Sequence, residues 1–378
     1  MNKPIRKYVA IFAVCIIFLC LSACNRTEHQ AGQTEPVVAT VVDIESFGHA
    51  VLDLRTADFM AAGYELGDVI HVHFGSYEAD MPFFDGYYTN PNEVMLRGRA
   101  PEKNIALCIN YGDFSKETGI ALGDTVQITM AEKAGMLTLQ NLYALKYSDN
   151  RADYSSDAVF ANFRAVTAGD IGDGKLYRSA SPINNICGRA GYANRFLADA
   201  EVATILNLAD SDEEILEYCE AADFDSGYYL ALYKDGKVKA VNLSSNFYSD
   251  GFAASVADGL AFLAHNEPPY AIHCTEGKDR AGFAAMVLEA LMGAELTEIV
   301  DDYMLSFYNY YGVDKETEPD RYEAVLNNNL MVMLCHVAGV ETREQLEQVD
   351  LEDAATQYLL RSGMTEEDIR TLQEKLRG

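Results

Sequence analysis

The pattern of apolar and polar positions divides the chain into two parts with different texture. Between residues 36 and 150, period-two runs follow turn residues, as in "ELGDVIHVHFG" at 65–75 and "ALGDTVQITMA" at 121–131. A period of two predicts half-buried strands, and the Gly-Asp pair before each run predicts a turn that leads into it. We therefore predict a β-rich accessory domain over 36–150, either a small barrel or a sandwich.

From residue 151 onward, apolar runs alternate with segments of helical spacing. Strands are expected in "KLYRSASP", "VATILNLAD" and "PPYAIHC", and helices in "RAGYANRFLADA", "DGFAASVADGLAFLAHN" and "RAGFAAMVLEALMGA". The polar segment "YSDNRADYSSDA" at 147–158 marks the boundary between the two parts. This alternation predicts an α/β domain over 151–378, in which helices flank a central sheet.

The N-terminus has the plan of an export signal, since three basic residues precede an apolar run over 9–21. Leu-Ser-Ala-Cys, ending at Cys24, resembles a bacterial lipobox, and a polar segment follows it. We therefore predict a signal peptide over 1–23, lipidation of Cys24 and a tether over 24–35. The alternative is an uncleaved N-terminal anchor helix. Either one places the protein in the cell envelope, outside the cytoplasm and attached to the membrane.

The formal net charge of -29 excludes nucleic acid as a partner, because a strongly acidic surface repels polyanions. An anionic substrate therefore needs a local positive site. The cysteines beyond Cys24 are widely spaced and form no C-x-x-C pair, so neither a zinc site nor a disulfide framework is predicted. His71 and His73 alternate with valine, which is typical of the polar face of a strand. No metal and no cofactor are predicted.

The segment "HCTEGKDRAG" at 273–282 carries the candidate chemistry. A strand is expected to end at His273 and a helix to start near Arg280. A loop between a strand and a helix N-terminus directs several backbone N–H groups and the helix dipole at one point, which suits a phosphate dianion. Gly277 allows the sharp turn, and Arg280 offers a planar fork to two phosphate oxygens.

Cys274 lies in the same loop, where the field that attracts phosphate is expected to lower the pKa of a thiol. The predicted reaction has two steps: the thiolate attacks phosphorus to form a phosphocysteine, and water then hydrolyses it. The N–H groups and Arg280 balance the transferring charge, so no metal is required. The alternative is a buried structural cysteine with an arginine six residues later by chance. The preceding His273, Gly277 and the strand-loop-helix context favour the catalytic interpretation.

This segment resembles the phosphate-binding loop of cysteine-dependent protein tyrosine phosphatases. Its "GKDR" form is similar to that of the bacterial atypical tyrosine, dual-specificity and phosphoinositide phosphatases, and the resemblance extends over roughly 158–378. It implies that Cys274 is the nucleophile, that Arg280 clamps the phosphate and that His273 helps to set the pKa of the thiolate. The substrate-binding positions that it implies lie in or beside the loop: Thr275, Glu276, Gly277, Lys278, Ala281 and Arg178.

The chain departs from the family pattern in two places. Ala281 stands where the family usually has Thr or Ser, so we expect slow hydrolysis of the intermediate. Asn-Leu-Ala at 207–209 replaces the usual Asp-Leu-Arg. The candidates for the general acid are Asp279, Asp210 and Asp212, and we favour Asp279 because it lies within the loop.

Two further basic features lie outside the segment 273–282. Arg178 in "LYRSASP" is predicted to close one wall of the pocket, through the family resemblance. Lys234, Lys237 and Lys239 form a basic cluster in "YKDGKVKAV", which we interpret as the face of a hairpin.

The sequence therefore predicts an exported, lipid-anchored phosphatase of phosphate monoesters. Phosphotyrosine in a protein is the first expected substrate and phosphoinositide the second, because Lys278 favours an additional phosphate. One alternative is a secreted inositol-polyphosphate phosphatase of the phytase kind, although the acidic surface opposes it. The other is a pseudophosphatase that binds phosphorylated ligands and turns them over poorly, which Ala281 motivates.

Overall fold

The computed structural model describes residues 35–90, 92–244 and 246–377. The predicted signal peptide over 1–23 and the predicted lipidation site Cys24 lie outside the described residues, as does the predicted tether except for its last residue. Within the described ranges, no helix is both long enough and apolar enough to cross a membrane.

Seven strands of the first part close into a barrel in the order β1-β2-β6-β5-β4-β3-β7. Closure follows from β1, which pairs antiparallel with both β2 and β7. Two short helices complete this part. The bounds are β1 (Val37–Ile44), β2 (Ala50–Arg55), α1 (Thr56–Ala61), β3 (Val69–Phe74), β4 (Tyr77–Phe84), β5 (Val94–Arg97), β6 (Asn104–Ile109), α2 (Phe114–Thr118) and β7 (Thr125–Glu132).

The barrel interior follows the alternation of the sequence. In β3, Ile70 and Val72 are fully buried, whereas His71 and His73 face outward. His71 Nδ1 lies 2.7 Å from Asp80 Oδ1 on the neighbouring strand. Of the two predicted architectures, a barrel or a sandwich, the structure has the barrel.

Helix α3 (Leu137–Tyr143) connects the barrel to the second part of the chain. Its Leu142 is buried in the apolar core of the second part. Its Tyr143 stacks on Tyr88 of the barrel with ring centroids 4.4 Å apart, and the Tyr143 hydroxyl donates to Asn329 Oδ1 at 3.4 Å. The two parts are therefore held together through this helix.

The second part contains a five-stranded sheet in the order β11-β10-β12-β9-β8. Four neighbouring strands are parallel, and β8 runs antiparallel to β9 at one edge. The elements are α4 (Asp157–Phe160), β8 (Arg164–Ala165), β9 (Leu176–Ser179), α5 (Ala190–Asp199), β10 (Thr204–Asn207), α6 (Asp212–Cys219), α7 (Gly227–Lys234), β11 (Val238–Ala240), α8 (Asp250–Ala264), β12 (Tyr270–His273), α9 (Asp279–Leu291), α10 (Leu296–Tyr311), α11 (Pro319–Val325), a π-helix (Leu326–Leu330), α12 (Met331–Ala338), α13 (Arg343–Leu346), α14 (Leu351–Arg361) and α15 (Glu366–Leu376).

Helices cover both faces of this sheet, as the buried apolar strands predicted. Ile205 and Ala271 belong to a core cluster on one face, which includes residues of α5, α6 and α7. Leu206 and Ile272, one position later, belong to the larger core on the other face, with α8, α9 and the C-terminal helices. Period-two alternation along β10 and β12 therefore divides the side chains between two cores.

The segment around Lys234, Lys237 and Lys239 is not a hairpin, so that prediction was wrong. Lys234 ends α7, and β11 then pairs parallel to β10. A parallel neighbour requires a crossover connection, which α7 provides, and a hairpin would have produced an antiparallel pair. Lys239 Nζ forms an ion pair with Asp258 at 2.8 Å.

Candidate active site

Strands β9, β10 and β12 end at the same edge of the sheet. The register pairs Asn207 with His273, and His273 with Ser179. The loop over 274–278 leaves the sheet at this edge and leads into α9, which begins at Asp279. Ligands of open α/β sheets bind beyond the carboxyl ends of parallel strands. The predicted strand, loop and helix around Cys274 are therefore present, and α9 starts one residue before the predicted Arg280.

The carbonyl groups of this loop are bonded from behind, while its N–H groups are unpaired. Asn162 Nδ2 donates to the carbonyls of Glu276 at 3.2 Å and Gly277 at 3.3 Å. The Tyr310 hydroxyl donates to the Glu276 carbonyl at 2.6 Å. Considering only the described residues, the N–H groups of 275–278 donate no hydrogen bond. Several unpaired N–H groups in one loop form a receptor for an anion.

Arg280 reaches back from the first turn of α9 toward the start of the loop. Its Nη2 donates to Thr275 Oγ1 at 3.1 Å, and its Nη1 donates to the Leu243 carbonyl at 3.2 Å. The guanidinium therefore lies beside the residue that follows Cys274. The Cys274 side chain itself is only 3% exposed. The predicted nucleophile and the unpaired N–H groups thus lie in one loop, and the predicted phosphate clamp contacts that loop from the first turn of α9.

Gly277 is required by both its conformation and its surroundings. Its φ is 68°, and a Cβ added there would lie 2.2 Å from the Ser179 carbonyl oxygen. The left-handed region is unfavourable for residues with a Cβ, and an approach of 2.2 Å leaves no space for one. Glycine therefore lets the loop turn directly against the end of β9.

Arg178 lies behind the loop, and this corrects the prediction that it closes one wall of the pocket. Its side chain is fully buried, and its Nη2 donates to the carbonyls of Gly277 at 2.8 Å and Lys278 at 3.0 Å. Its Nη1 donates to Asp302 of α10. The five N–H donors of the guanidinium allow this one side chain to bind two carbonyls and a carboxylate at once. Arg178 therefore positions the loop and does not line the cleft.

A buried ion cluster fixes Arg178 in turn. Asp302 accepts from Arg178 and, at 2.7 Å, from Arg164 Nε. Burial acts to raise the pKa of Asp302, but the two guanidinium groups outweigh it and hold that pKa below its ordinary value. Burial and the neighbouring Asp302 raise the pKa of Glu289 well above its ordinary range. The cluster therefore contains two arginines and two acids whose pKa values are shifted in opposite directions.

The three candidates for the general acid occupy different surroundings. Asp279, the first residue of α9, has a side chain that is 49% exposed and lines the cleft in front of the loop. Asp210 is buried, burial raises its pKa, and its Oδ2 accepts from Asn207 Nδ2 at 3.1 Å. Asp212 opens α6 and accepts a hydrogen bond from the Tyr233 hydroxyl at 2.8 Å. Of these three carboxyl groups, only Asp279 borders the cleft.

His273 is fully buried beside the loop. Burial lowers the pKa of His273 to about 3, so its imidazole is neutral at ordinary pH. The expected influence of His273 on the thiol therefore does not come from a positive charge on the ring. Its ring lies edge-on to Tyr229 at 5.8 Å, which fixes the end of β12 against α7.

Lys278 is held in place at the rim of the loop. Burial acts to lower the pKa of Lys278, but the carboxylates of Asp279 and Glu276 raise it well above its ordinary value. Its Nζ donates to the Tyr311 hydroxyl at 2.9 Å. Glu276 also accepts a hydrogen bond from the Tyr147 hydroxyl at 2.6 Å. Lys278 therefore keeps its charge but has carboxylate partners within the protein.

The cleft in front of the loop has a volume of about 610 Å³ and is shared by both parts of the chain. Lys278, Asp279 and Arg280 line it from the second part, and Tyr87 and Tyr111 line it from the barrel. No motif pointed to these two tyrosines, because they lie more than 160 positions before the loop.

The described residues contain no group of three or more His, Cys, Asp or Glu side chains that is arranged to hold a metal ion. Their five cysteines, including Cys274 and Cys187, are all free thiols. Cys187 Sγ lies 3.8 Å from the Tyr147 hydroxyl.

A family model for the tyrosine phosphatase family matches residues 160–378 of this chain. The chain belongs to the tyrosine phosphatase family. This membership supports phosphatase activity and agrees with the resemblance found in the sequence.

Two solved structures are also similar to parts of the chain. One is the core catalytic domain of the PP-IP phosphatase SIW14 from S. cerevisiae in complex with citrate. The sequence identity is 23% and the TM-score is 0.27, and the match covers 42% of this chain and 83% of the SIW14 domain. The other is an uncharacterized conserved protein from Thermotoga maritima, with 19% identity, 25% of this chain covered and a TM-score of 0.24. The chain spans 36% of the length of the Thermotoga protein.

The two residues that depart from the family pattern, Ala281 and Asn207, are both buried next to the loop. Ala281 is fully buried in the first turn of α9, so no hydroxyl faces Cys274 from that position. Asn207 is also buried, and its Oδ1 accepts from the N–H of Ala209 at 2.9 Å, while its Nδ2 donates to the Tyr229 hydroxyl at 2.9 Å. Asn207 therefore shapes the turn after β10.

Proposed function

We propose that the protein hydrolyses phosphate monoesters with Cys274 as the nucleophile. The observation that supports this most strongly is the junction of the loop 274–278 with α9. Cys274 and the unpaired N–H groups lie in the loop, and Arg280 reaches back to Thr275 from the first turn of the helix. Such an arrangement stabilises negative charge on a transferring phosphoryl group. Thr275, Glu276, Gly277 and Lys278 contribute the backbone of the cradle.

In the first step the Cys274 thiolate forms an S–P bond as the P–O ester bond breaks. The leaving oxygen takes a proton from a general acid, for which we propose Asp279 because it borders the cleft. In the second step a water oxygen forms a bond to phosphorus and the S–P bond breaks, which returns the thiolate and releases inorganic phosphate. Asp279 accepts the proton of that water. Ala281 provides no hydroxyl to the leaving sulfur, so we expect this second step to limit turnover.

Phosphotyrosine is the proposed substrate group, with phosphoinositide as the second choice.

We also propose that the protein is exported and held at the membrane by a lipid on Cys24, because the first 24 residues follow the plan of a lipoprotein signal. Labelling cells with a fatty-acid analogue tests this proposal. Label in the wild type and none in Cys24→Ala supports it, and equal label in both contradicts it.

The first test of the enzyme uses the full-length protein and a small aryl phosphate in the presence of a chelator. We expect turnover with a burst of one equivalent, loss of turnover in Cys274→Ser, and normal turnover in Cys335→Ser, which replaces another buried cysteine in α12. Absence of turnover in the wild type, with vanadate still binding, would instead support the pseudophosphatase.

The role of Asp279 is tested by the dependence on the leaving group. Asp279→Asn should lose about 100-fold with an alkyl phosphate, whose leaving oxygen needs a proton, and much less with a nitrophenyl phosphate. Asp210→Asn is the matched comparison. If Asp210→Asn shows this dependence and Asp279→Asn does not, the acid is Asp210.

A further inference from the structure

Two tyrosines of the barrel stand at the junction of three cavities. Tyr87 and Tyr111 line the cleft of about 610 Å³ in front of the loop. Both also line a cavity of about 1020 Å³ on the barrel and a third of about 700 Å³ between the barrel and the helices of the second part. These two rings are therefore a wall that all three cavities share.

The backbone holds Tyr111 outward at the end of β6. Its φ is 56°, in a region that bulky residues adopt rarely, and its side chain is 56% exposed. The flanking Asn110 is fixed by its N–H, which donates to the Glu93 carbonyl at 3.0 Å, and by its Nδ2, which donates to the Thr89 carbonyl at 2.5 Å. The ring is therefore presented on a restrained turn.

Tyr87 is fixed by two arginines of the barrel. The guanidinium carbons of Arg97 and Arg99 lie 5.6 Å and 5.5 Å from its ring centroid, and Arg97 Nη1 donates to its hydroxyl. Arg97 is itself paired with Glu45 at 3.0 Å. A ring that is held in this way provides a contact surface at little cost in conformational entropy.

We name the cavity of about 700 Å³ the interdomain cleft and define it by Asp80, Glu93, Tyr111, Tyr248, Asp279 and Asn328. Its lining combines aromatic rings, three carboxylates and several amide side chains. Among the described residues, no lysine, arginine or histidine lines it. The amides belong to both parts of the chain: Asn90, Asn92, Asn110, Asn328 and Asn329.

The amide and acidic side chains of the interdomain cleft suit a phosphorylated peptide better than a molecule with several phosphates. Side-chain amides donate and accept hydrogen bonds, and therefore match the alternating N–H and C=O groups of an extended peptide. The carboxylates of Asp80 and Glu93 attract basic side chains and repel additional phosphates. An inositol polyphosphate or an anionic membrane would place negative charge against this cleft.

We propose that the interdomain cleft binds the polypeptide on either side of a phosphotyrosine and favours basic flanking residues. Tyr87 and Tyr111 are the specificity-determining contacts, so the barrel forms one wall of the substrate site. This inference rests on the proposed function, since it assumes that the loop hydrolyses the phosphate ester.

The experiment compares kcat/KM of the full-length protein for two phosphotyrosine peptides, one flanked by lysines and one by glutamates, and for a small aryl phosphate. We expect the wild type to prefer the lysine peptide by at least about tenfold. Tyr111→Ala should lower kcat/KM for that peptide about tenfold more than for the aryl phosphate. Glu93→Gln should reduce the preference for lysine over glutamate by about threefold.

Tyr308→Ala is the matched control, because Tyr308 is 55% exposed on α10 and lines none of the three cavities. An equal effect of Tyr111→Ala on peptide and aryl phosphate would overturn the inference and leave the proposed function intact. Faster turnover of phosphoinositide vesicles or inositol hexakisphosphate than of either peptide would also overturn it. If the wild type hydrolyses no aryl phosphate at all, the proposed function itself fails.

Discussion

Replacing Gly277 with alanine tests whether the loop depends on its close contact with β9. Two costs are expected. A residue with a Cβ at φ 68° loses about 1–2 kcal/mol. The Cβ would also lie 2.2 Å from the Ser179 carbonyl oxygen and 2.3 Å from its carbon. Both are backbone atoms that cannot rotate away, so the loop must shift, which adds about 1–3 kcal/mol. We therefore expect Gly277→Ala to be less stable by about 2–5 kcal/mol.

Gly236→Ala provides the matched control, because Gly236 has a φ of 69° and a Cβ there would meet nothing within 4 Å. It should lose only the conformational cost of about 1–2 kcal/mol. Urea unfolding followed by helical circular dichroism reports the second part, which contains the long helices. Turnover of an aryl phosphate should fall by about 100-fold in Gly277→Ala, since a shift of about 1 Å displaces the N–H groups. Equal stability of the two variants with unchanged turnover would refute the reasoning.

Two further variants test the buried groups around the loop. Asp302→Asn leaves Arg164 and Arg178 without their carboxylate and should lower the free energy of unfolding by about 3 kcal/mol. The control is Asp258→Asn, which removes an exposed ion pair. It should lower the free energy of unfolding by less than about 1 kcal/mol in the same urea assay. The pKa of His273 falls from 6.5 to about 3 on folding. Below pH 6.5 the unfolded chain therefore binds a proton at this residue that the folded chain does not bind. The free energy of unfolding consequently declines as the pH falls from 6.5 toward 3. Between pH 7 and pH 5 the wild type should lose about 2 kcal/mol more than His273→Gln, and parallel pH profiles would contradict this.

Much of the site could be predicted because its chemistry is local in sequence. Cys274, Gly277 and Arg280 lie within seven consecutive positions, and the apolar strand before them and the helix after them have distinct periodicities. A strand-loop-helix segment directs its N–H groups toward a point beyond the end of the strand. The same is true of the barrel strands, whose alternation predicted their buried faces.

The errors concern residues whose neighbours are distant in sequence. Arg178 was expected at the pocket wall, but its partner Asp302 lies on α10, 124 positions away, and draws the guanidinium behind the loop. The basic cluster around Lys237 was also assigned wrongly, to the face of a hairpin. Whether the following strand is parallel depends on its pairing with β10, and no local pattern encodes that pairing.

The sequence by itself determined the two-part organisation, the strands and helices around the loop, and the identity of the candidate nucleophile and clamp. These properties follow from periodicity and from residues that are neighbours along the chain. The tertiary structure alone decided that Arg178 supports the loop from behind, that Asp279 is the candidate acid bordering the cleft, and that Tyr87 and Tyr111 of the barrel face it. Each of these depends on contacts between segments far apart in the chain, which form only when the sheet, the helices and the barrel pack together.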